Sequence, residues 1–376
     1  MPDSVTKDIV EKVYQYLFPA VSPGAEVPDT YEVTFNEDTI VFFEKLLNDE
    51  FCPYRTKVNR ELATLSVAAN TLVSDAVSRR ITNVKGCLAD PFVLALYGHS
   101  RRSENHGLGY SNDMGGFIVG IDKVWAFANE RYLRLGVALG YIHGKTKFFG
   151  PLADPITSTK HNIYALELFA AYELFNDKLL KTNIGVTLGY NHSSDKLHGE
   201  RLHGRIPSSL IANEKLRSNN IFLGLEFVKN LCSYNGFQFG LWFRANYGHV
   251  AQKGYKEPTT VEHISPVHHN ILATVIGINV EREVFKPEYA DKKLILSLKA
   301  GWECHPMHKH SSITALMNGD TYEVITPQQP SKNSAIVSFA AAKKFNVHWG
   351  VAGSYVARLN GGASSHNFSA GIECEF

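Results

Sequence analysis

The chain has 376 residues, 44% of them apolar, and a net charge of +1, which gives no electrostatic basis for binding nucleic acid. This length suits one large barrel or two ordinary domains. No run of 18 uninterrupted apolar residues occurs, which excludes a transmembrane helix.

The first segment, residues 1–57, is acidic in places and contains five prolines. After Met1 there is no basic region, no apolar core and no small-residue cleavage site of a secretory signal. If the chain is exported, we therefore expect it to be a mature fragment, a cloned piece, or the product of a split or truncated gene.

The second segment, residues 58–82, is predicted to form a helix. Leu62, Leu65, Ala69 and Leu72 recur at helical spacing, without proline or glycine between residues 59 and 81. Arg79 and Arg80 in the last turn suit the helix dipole, and inside a lumen we expect them to find acidic partners near the periplasmic mouth, because an unpaired charge there is costly. We expect the helix either to cap a barrel mouth or to thread a narrow lumen, for which it has these small side chains: Ala63, Ser66, Ala68, Ala69, Ser74, Ala76 and Ser78. In the lumen they would pack against glycine-rich strand faces, such as those with Gly136, Gly140, Gly185 and Gly189.

The third segment, residues 83–376, is predicted to form a transmembrane β-barrel. Its side chains alternate between apolar and polar or small, which is the period of a strand with one face toward lipid. Twelve such strands are predicted, at 91–101, 110–125, 132–147, 160–175, 180–194, 217–229, 237–250, 268–285, 293–305, 333–344, 347–359 and 364–376.

The last strand shows the alternation in its simplest form. One face is apolar and carries Phe368, Ala370, Ile372, Cys374 and Phe376. The other is polar or small and carries Asn367, Ser369, Gly371, Glu373 and Glu375. We expect Cys304 and Cys374 to face lipid and the five cysteines to be mostly isolated thiols, since their spacing fits no redox or zinc pair.

The connections between the strands give a second, independent indication. Those after even-numbered strands are short, whereas most of those after odd-numbered strands are longer, above all 194–216 and 305–332. Outer-membrane barrels have tight periplasmic turns and long external loops. The even strand number places both barrel ends on the short-turn side.

Alternation alone does not decide which face lies inside. A soluble all-β protein with an apolar interior is the alternative. Six charged residues on the polar faces, beside glycines, favour a packed polar lumen instead: Arg134, Glu167, Glu173, Arg244, Lys299 and Glu303. The sequence therefore predicts an all-β fold, a twelve-stranded antiparallel transmembrane β-barrel with an N-terminal pore helix.

A helix ending in SDAVSRRI, a short linker and a twelve-stranded barrel with a terminal phenylalanine together resemble the translocator domain of autotransporters, over residues 58–376. The resemblance implies type V secretion in the outer membrane of a Gram-negative cell. The barrel would export an upstream passenger to the surface and anchor it, and the helix would remain in the pore. Residues 1–57 would then be a passenger remnant or stalk.

The resemblance also implies the partners. These are outer-membrane lipid, the barrel-assembly machinery recognising the strand that ends at Phe376, and the chain's own passenger segment. We expect a monomer, no cofactor, no metal and no enzymatic activity. Some autotransporters cut the helix at an asparagine, but Asn70 is followed by Thr71 rather than by a second asparagine, so we expect no cleavage.

Histidines near the long connections offer a metal site as an alternative. They are His263, His268, His269, His305, His308 and His310. Zinc sites usually combine such residues with cysteine or acidic ligands at fixed spacing, and none lies at that spacing here. We therefore expect a histidine-rich external surface and no metal centre.

Two further functions remain open at this point. His192 and Ser194 share the predicted lipid-facing side of one strand, as the serine and base of an outer-membrane phospholipase would. The glycine and asparagine context of that family's motif is missing, and the helix has no role there. A plain porin-like channel is the other alternative, and a helix inside the pore would argue against it.

Overall fold

The computed structural model describes residues 54–82, 91–103, 109–127, 131–149, 158–176, 180–198, 201–203, 206–208, 215–256, 263–264, 266–284, 294–306, 312–317, 320–325, 333–345 and 348–374. In this part of the chain there is one helix, α1 (Tyr54–Thr82). The strands are β1 (Phe92–Arg102), β2 (Gly109–Phe127), β3 (Arg131–Phe149), β4 (Ser158–Asn176), β5 (Leu180–His198), β6 (Arg201–His203), β7 (Ile206–Ser208), β8 (Lys215–Tyr234), β9 (Phe237–Gln252), β10 (Tyr255–Lys256), β11 (His263–Ile264), β12 (Val267–Val284), β13 (Leu294–Cys304), β14 (Ser312–Met317), β15 (Asp320–Ile325), β16 (Asn333–Lys344), β17 (Trp349–Leu359) and β18 (Ala363–Cys374).

Twelve of these strands form a closed antiparallel barrel in the order β1-β2-β3-β4-β5-β8-β9-β12-β13-β16-β17-β18, and β18 pairs back onto β1. In the closing pair Val93 lies opposite Ile372. The predicted fold, a twelve-stranded antiparallel barrel preceded by a helix, is thereby confirmed. Because the barrel is closed, every barrel strand is paired on both edges. No edge of a barrel strand is therefore free to pair with a strand of another chain.

The two faces of the strands differ as the alternation predicted. In β3, Leu135 and Leu139 are 44% and 56% exposed, while their neighbours Arg134 and Ala138 are buried. In β18, Phe368 and Ile372 face outward, and Glu373 is buried. The exposed apolar side chains therefore form a band around the outside of the barrel, and the charged ones point into the lumen.

The connections at one mouth are short, as expected. They are 128–130, 177–179, 235–236, 285–293 and 345–348. The tightest is the turn at Asn235 and Gly236, whose φ angles are both positive, 49° and 79°. An Asn-Gly pair adopts this conformation readily, and its twist matches that of the flanking strands.

The opposite mouth has connections that the sequence reading left as loops, and here the structure adds short strands. β6 and β7 form a hairpin between β5 and β8, and β10, β11, β14 and β15 form a separate sheet of four strands. Several barrel strands also extend beyond their predicted ends on this side, as β5 does to His198. In these extensions polar residues continue the alternation between inward and outward side chains. A search for apolar residues at every second position therefore does not detect the ends of the strands.

The predicted lipid-facing cysteines, Cys304 and Cys374, lie on the outward parity of β13 and β18 and are partly exposed. Together with Cys232 they are free thiols, whereas Cys52 and Cys87 lie outside the described residues. Phe376 is also outside them. Within the described part of the chain, no helix combines the length and the apolar character needed to cross a membrane.

Candidate functional site in the barrel lumen

The lumen has two walls of different chemistry. A buried apolar cluster on β1–β4, which we call the apolar wall, includes Leu94, Ile118, Ile142 and Phe169. The remaining strands form the charged wall, although charges also point inward from β3 and β4. All six predicted lumen residues are at most 5% exposed: Arg134, Glu167, Glu173, Arg244, Lys299 and Glu303. The predicted packed polar lumen is therefore present, and the apolar wall on β1–β4 is a feature that the sequence did not predict.

Helix α1 lies inside this lumen. Its side chains bond to β2, β5, β8, β9, β13, β17 and β18, strands that are spread around the whole circumference. A helix on the outside or at a mouth could not reach opposite sides of a closed barrel. Leu72, Val73 and Val77 pack against the apolar wall. The helix is thus amphipathic, with apolar side chains toward the apolar wall and polar side chains toward the charged wall, rather than with a polar face toward solvent.

Asp75 is the centre of the charged contacts in the middle of the helix. Its carboxylate accepts hydrogen bonds from Arg244 Nη1 at 2.7 Å, from Arg358 Nη1 at 2.7 Å and from Asn367 Nδ2 at 2.8 Å. Arg358 also donates through Nε to Glu303 at 3.2 Å. A buried charge is tolerated only where it is paired and hydrogen-bonded, and here one carboxylate links strands β9, β17 and β18.

The end of the helix is fixed by arginines near the short-turn mouth, as predicted for Arg79 and Arg80. Arg80 Nε donates to Asp122 at 2.5 Å and its Nη1 donates to Glu373 at 2.8 Å. Arg79 also pairs with Glu373. Arg134 donates to the same Asp122 at 3.1 Å, so two arginines share one carboxylate. These contacts connect the end of the helix to β2 and to the last strand, β18.

Glu226 receives the third group of helix contacts. Ser78 Oγ donates to it at 2.7 Å, the Trp242 indole N–H at 2.9 Å and Lys299 Nζ at 2.8 Å. Trp242 is buried on the inward face of β9, where its indole N–H has a carboxylate to bind. Lys299 also donates to Thr82 Oγ1 at 3.2 Å, which secures the last residue of the helix.

The glycines expected to face the small helix residues have a different role. Of Gly136, Gly140, Gly185 and Gly189, only Gly185 meets the helix among its nearest neighbours, and it meets Ile81 rather than a small residue. A Cβ at Gly136 would fall in the ring of Phe169, and one at Gly189 in the ring of Phe222. Two of these four glycines therefore make room for inward aromatic rings from adjacent strands.

Asn70 is buried and accepts a hydrogen bond from Asn191 of β5. Its neighbour Thr71 donates to the carbonyl of Val67 within the helix at 3.0 Å. The expectation that the helix is not cut at Asn70 stays a prediction.

The histidines considered as metal ligands do not come together in the part of the chain described. His268 stacks on His249 with ring centroids 5.8 Å apart, whereas His305 lies 3.7 Å from Glu303 at the top of β13. The described residues contain no group of three potential ligands. His308, His310 and the side chain of His263 lie outside them, and His269 lies opposite Val250 of β9.

His192 and Ser194 lie on the outer face of β5, as predicted, but they belong to different contacts. His192 Nδ1 lies 2.9 Å from Asn219 Oδ1 on β8, and the Tyr190 hydroxyl donates to the same oxygen at 2.9 Å. Ser194 lies beside Arg217 in the strand register. Among the described residues His192 is bonded to Asn219, and no hydrogen bond joins it to Ser194.

The contact of His192 recurs around the barrel, a feature that the sequence reading missed. In each case a Tyr-x-His on one strand meets a single Asn or Asp oxygen on the next, with histidine distances of 2.6–2.9 Å. The signal was present as YGH, YIH, YNH and YGH in the sequence. We call this set the Tyr-His belt: Tyr97, His99 and Asp113; Tyr141, His143 and Asn162; Tyr190, His192 and Asn219; Tyr247, His249 and Asn270.

A feature repeated four times is structural rather than a unique catalytic pair. Amphipathic rings with a polar tip are typical of the membrane–water interface, where one end is wet and the other apolar. The belt therefore marks the level at which the outer surface passes from the apolar band to the polar end that carries the long connections.

The comparisons with known proteins agree with this geometry. Residues 92–356 match the family described as Autotransporter beta-domain. No curated protein matches the chain in sequence. Among solved structures, the transport unit of the autotransporter AIDA-I from Escherichia coli is similar with a TM-score of 0.59 and 14% identity, over 82% of this chain and 97% of that one.

Two further solved structures share the fold. The translocator domain of the autotransporter NalP from Neisseria meningitidis has a TM-score of 0.54 and 14% identity, over 82% of this chain and 98% of that one. The β domain of the Bordetella autotransporter BrkA has a TM-score of 0.51 and 13% identity, over 76% and 99%. The chain therefore belongs to the autotransporter β-domain family, and it is an outer-membrane barrel that serves the export and anchoring of a passenger segment.

Proposed function

We propose that α1 remains in the lumen after export, where it seals the pore and tethers the segment before it to the barrel. In this proposal residues 1–57 are a passenger remnant or stalk, residues 58–82 the linker and residues 83–376 the membrane anchor. The observation that carries it is Asp75, whose carboxylate is bound from three strands of the charged wall.

The two-walled lumen supports the same conclusion energetically. Withdrawing the helix would expose apolar side chains of β1–β4 to water and leave Arg244 and Arg358 without the carboxylate of Asp75. Both changes are unfavourable, because apolar surface would be hydrated and paired charges separated. A sealed pore is therefore the resting state in this proposal, and export precedes it.

We further propose that the barrel acts as a monomer and has no enzymatic activity of its own. Closure of β1 against β18 removes the free edges through which barrels could pair. The one hydrolase candidate, His192 with Ser194, is accounted for by the Tyr-His belt. The barrel-assembly machinery would recognise the C-terminal strand, whose outward face presents Phe368 and Ile372.

Single-channel recording tests the sealing role directly. The full chain, a deletion of residues 1–53 and a deletion of residues 1–81 would each be refolded and inserted into planar bilayers. We expect the first two to show the same low conductance, because both retain α1. The deletion of residues 1–81 should give clearly larger currents, since the lumen of a twelve-stranded barrel is wide enough to hold a helix.

The deletion of residues 1–53 is the matched control, because it removes sequence without removing the helix. Equal conductance of all three proteins would contradict the proposal and would favour a lumen closed by other parts of the chain. Large currents from the full chain would favour a porin-like channel.

A further inference from the structure

Four lysines lie side by side on the outer surface of the barrel. In the strand register Lys145 of β3 is opposite Lys160 of β4, Lys160 is opposite Lys196 of β5, and Lys196 is opposite Lys215 of β8. All four share the outward parity of their strands. We call this set the lysine row.

The lysine row is unfavourable for the barrel itself. Like charges directly opposite each other on neighbouring strands repel, and here three such pairs follow in succession. No ion pair involves any of the four lysines in the part of the chain described. Asp113 lies opposite Lys145 at one end of the row, and it is already bonded to His99. Arg217, two residues from Lys215 on the same face of β8, adds a fifth cation.

The position of the row places it at a lipid boundary. Lys145 follows His143 by two residues on the outer face of β3, and Lys160 precedes Asn162 by two on β4, so the row lies just beyond the Tyr-His belt. On the other side of the belt the same strands carry exposed apolar side chains, including Leu139, Leu166 and Leu188. The mouth concerned is the one with the long connections, which faces outward in barrels of this kind.

We propose that the lysine row binds the phosphate groups of phosphorylated lipid in the outer leaflet of the outer membrane. Phosphates would neutralise the repulsion within the row through charge-assisted hydrogen bonds, and ammonium groups on flexible stems can adapt to several phosphates. The acyl chains of the same molecule would lie on the apolar band below the belt. This combination of charged and apolar surface on adjacent levels of the same strands fits an amphiphile better than a free anion.

The spacing also fits a ligand with more than one phosphate. Opposed residues on neighbouring strands have Cβ atoms about 5 Å apart, so four successive lysines extend over roughly 15 Å of surface. Within the described part of the chain, the row lies exposed or partly exposed on the outer wall of the barrel, and none of the described side chains encloses a single small ion there. A headgroup lying flat along the wall would contact all four strands.

Binding to refolded full-length protein in uncharged detergent tests the proposal. The probes are lipid A with both phosphates, the same lipid with its phosphates removed, and inorganic phosphate. We expect the phosphorylated lipid to bind at least about tenfold more tightly than the dephosphorylated one, because each lysine near an anionic headgroup contributes several-fold in affinity. Inorganic phosphate should compete only weakly, since it lacks acyl chains.

Matched variants assign the effect to the row. Lys160→Gln with Lys196→Gln should remove most of the preference for phosphorylated lipid. Lys160→Arg with Lys196→Arg should retain it, because the charge is kept. The control is Lys123→Gln with Lys229→Gln, which removes the same charge from outward positions at the short-turn mouth that lie opposite Leu135 and Leu241. It should leave the preference unchanged.

Three outcomes would overturn the proposal. The first is equal binding of the two lipids by the unmodified protein, and the second is an equal loss in the row and control variants. The third is inorganic phosphate binding as tightly as the lipid, which would make the row a site for a soluble anion. Heat-modified gel mobility should show all variants folded, since replacing the row's lysines removes repulsion.

Discussion

Arg80 in the helix and Glu373 in the last barrel strand are 293 positions apart, yet Arg80 Nη1 lies 2.8 Å from Glu373 Oε1 in a buried ion pair. The same guanidinium reaches Asp122 of β2 through Nε. One side chain thus connects the helix to both strands that flank β1, where the two ends of the barrel meet. This makes Arg80 the residue through which sealing of the pore and closure of the barrel are coupled.

Replacing Arg80 with methionine should destabilise the folded barrel and loosen the seal. The change leaves Asp122 and Glu373 with less compensation inside the lumen, and removing one partner of a buried pair costs about 3–5 kcal/mol. We expect a lower urea midpoint, followed by heat-modified gel mobility, together with more frequent channel openings. Arg101→Met, on the exposed outer face of β1, should change neither. Equal midpoints for the two variants would mean that the buried pair adds nothing to stability.

Gly185 and Gly248 offer a second matched pair. A Cβ at Gly185 would overlap Ile81 of the helix, whereas one at Gly248 would meet only Asn220 Oδ1 at 3.8 Å. Gly185→Ala should therefore push the end of α1 away from β5 and cost about 1–3 kcal/mol, the usual range for overpacking. Gly248→Ala should be close to neutral. The readouts are urea midpoints and single-channel currents, and a neutral Gly185→Ala would show that the helix is not held against β5.

Membrane assembly should depend on the outward face of β18. Ile372→Arg places a charge in the apolar band, which costs up to about 2–4 kcal/mol near the midplane and less toward the interfaces. With a signal peptide supplied, this variant and a deletion of Phe376 should both reduce the heat-modifiable barrel recovered from outer membranes. Ser364→Arg, on the same face at the outer end of β18, should assemble normally. Normal assembly without Phe376 would argue against recognition through the terminal residue.

Purified, refolded barrel should show no phospholipase activity, with or without calcium. Hydrolysis of phosphatidylcholine in mixed micelles is the measurement, and a known outer-membrane phospholipase is the positive control. The expectation rests on the fourfold repetition of the Tyr-His belt and on the separation of Ser194 from His192. Activity that disappears in Ser194→Ala but persists in Ser111→Ala, another outward-facing serine near the same mouth, would overturn it.

The features that the sequence predicted well depend on local periodicity. Strand number, parity and the asymmetry of the connections follow from every-second-residue alternation, which a bilayer imposes on each strand separately. The arginines at the end of α1 could also be given acidic partners, because a charge confined in a lumen needs one. The spacing of residues in the sequence could not show that these partners are Asp122 and Glu373.

The features that were missed depend on neighbours in space. The apolar wall, which includes Ile118 and Phe169, was not predicted because its partner surface is the helix, which lies far from these residues in the sequence. The lysine row exists only across the register of four strands, so no window of sequence contains it. The Tyr-His belt was visible as a repeated tripeptide, but its asparagine partners lie 19–27 residues away in three of the four cases.

The position of the partners of Asp75 has a consequence for the timing of biogenesis. Arg358 lies near the end of β17 and Asn367 lies in β18, so neither is available until the final hairpin has been made and has docked. A growing or truncated chain that stops before residue 358 lacks both, and it also lacks the strand that pairs with β1. The complete set of contacts to Asp75 can therefore form only in a barrel whose last two strands are in place, and earlier in assembly the helix lacks two of these partners.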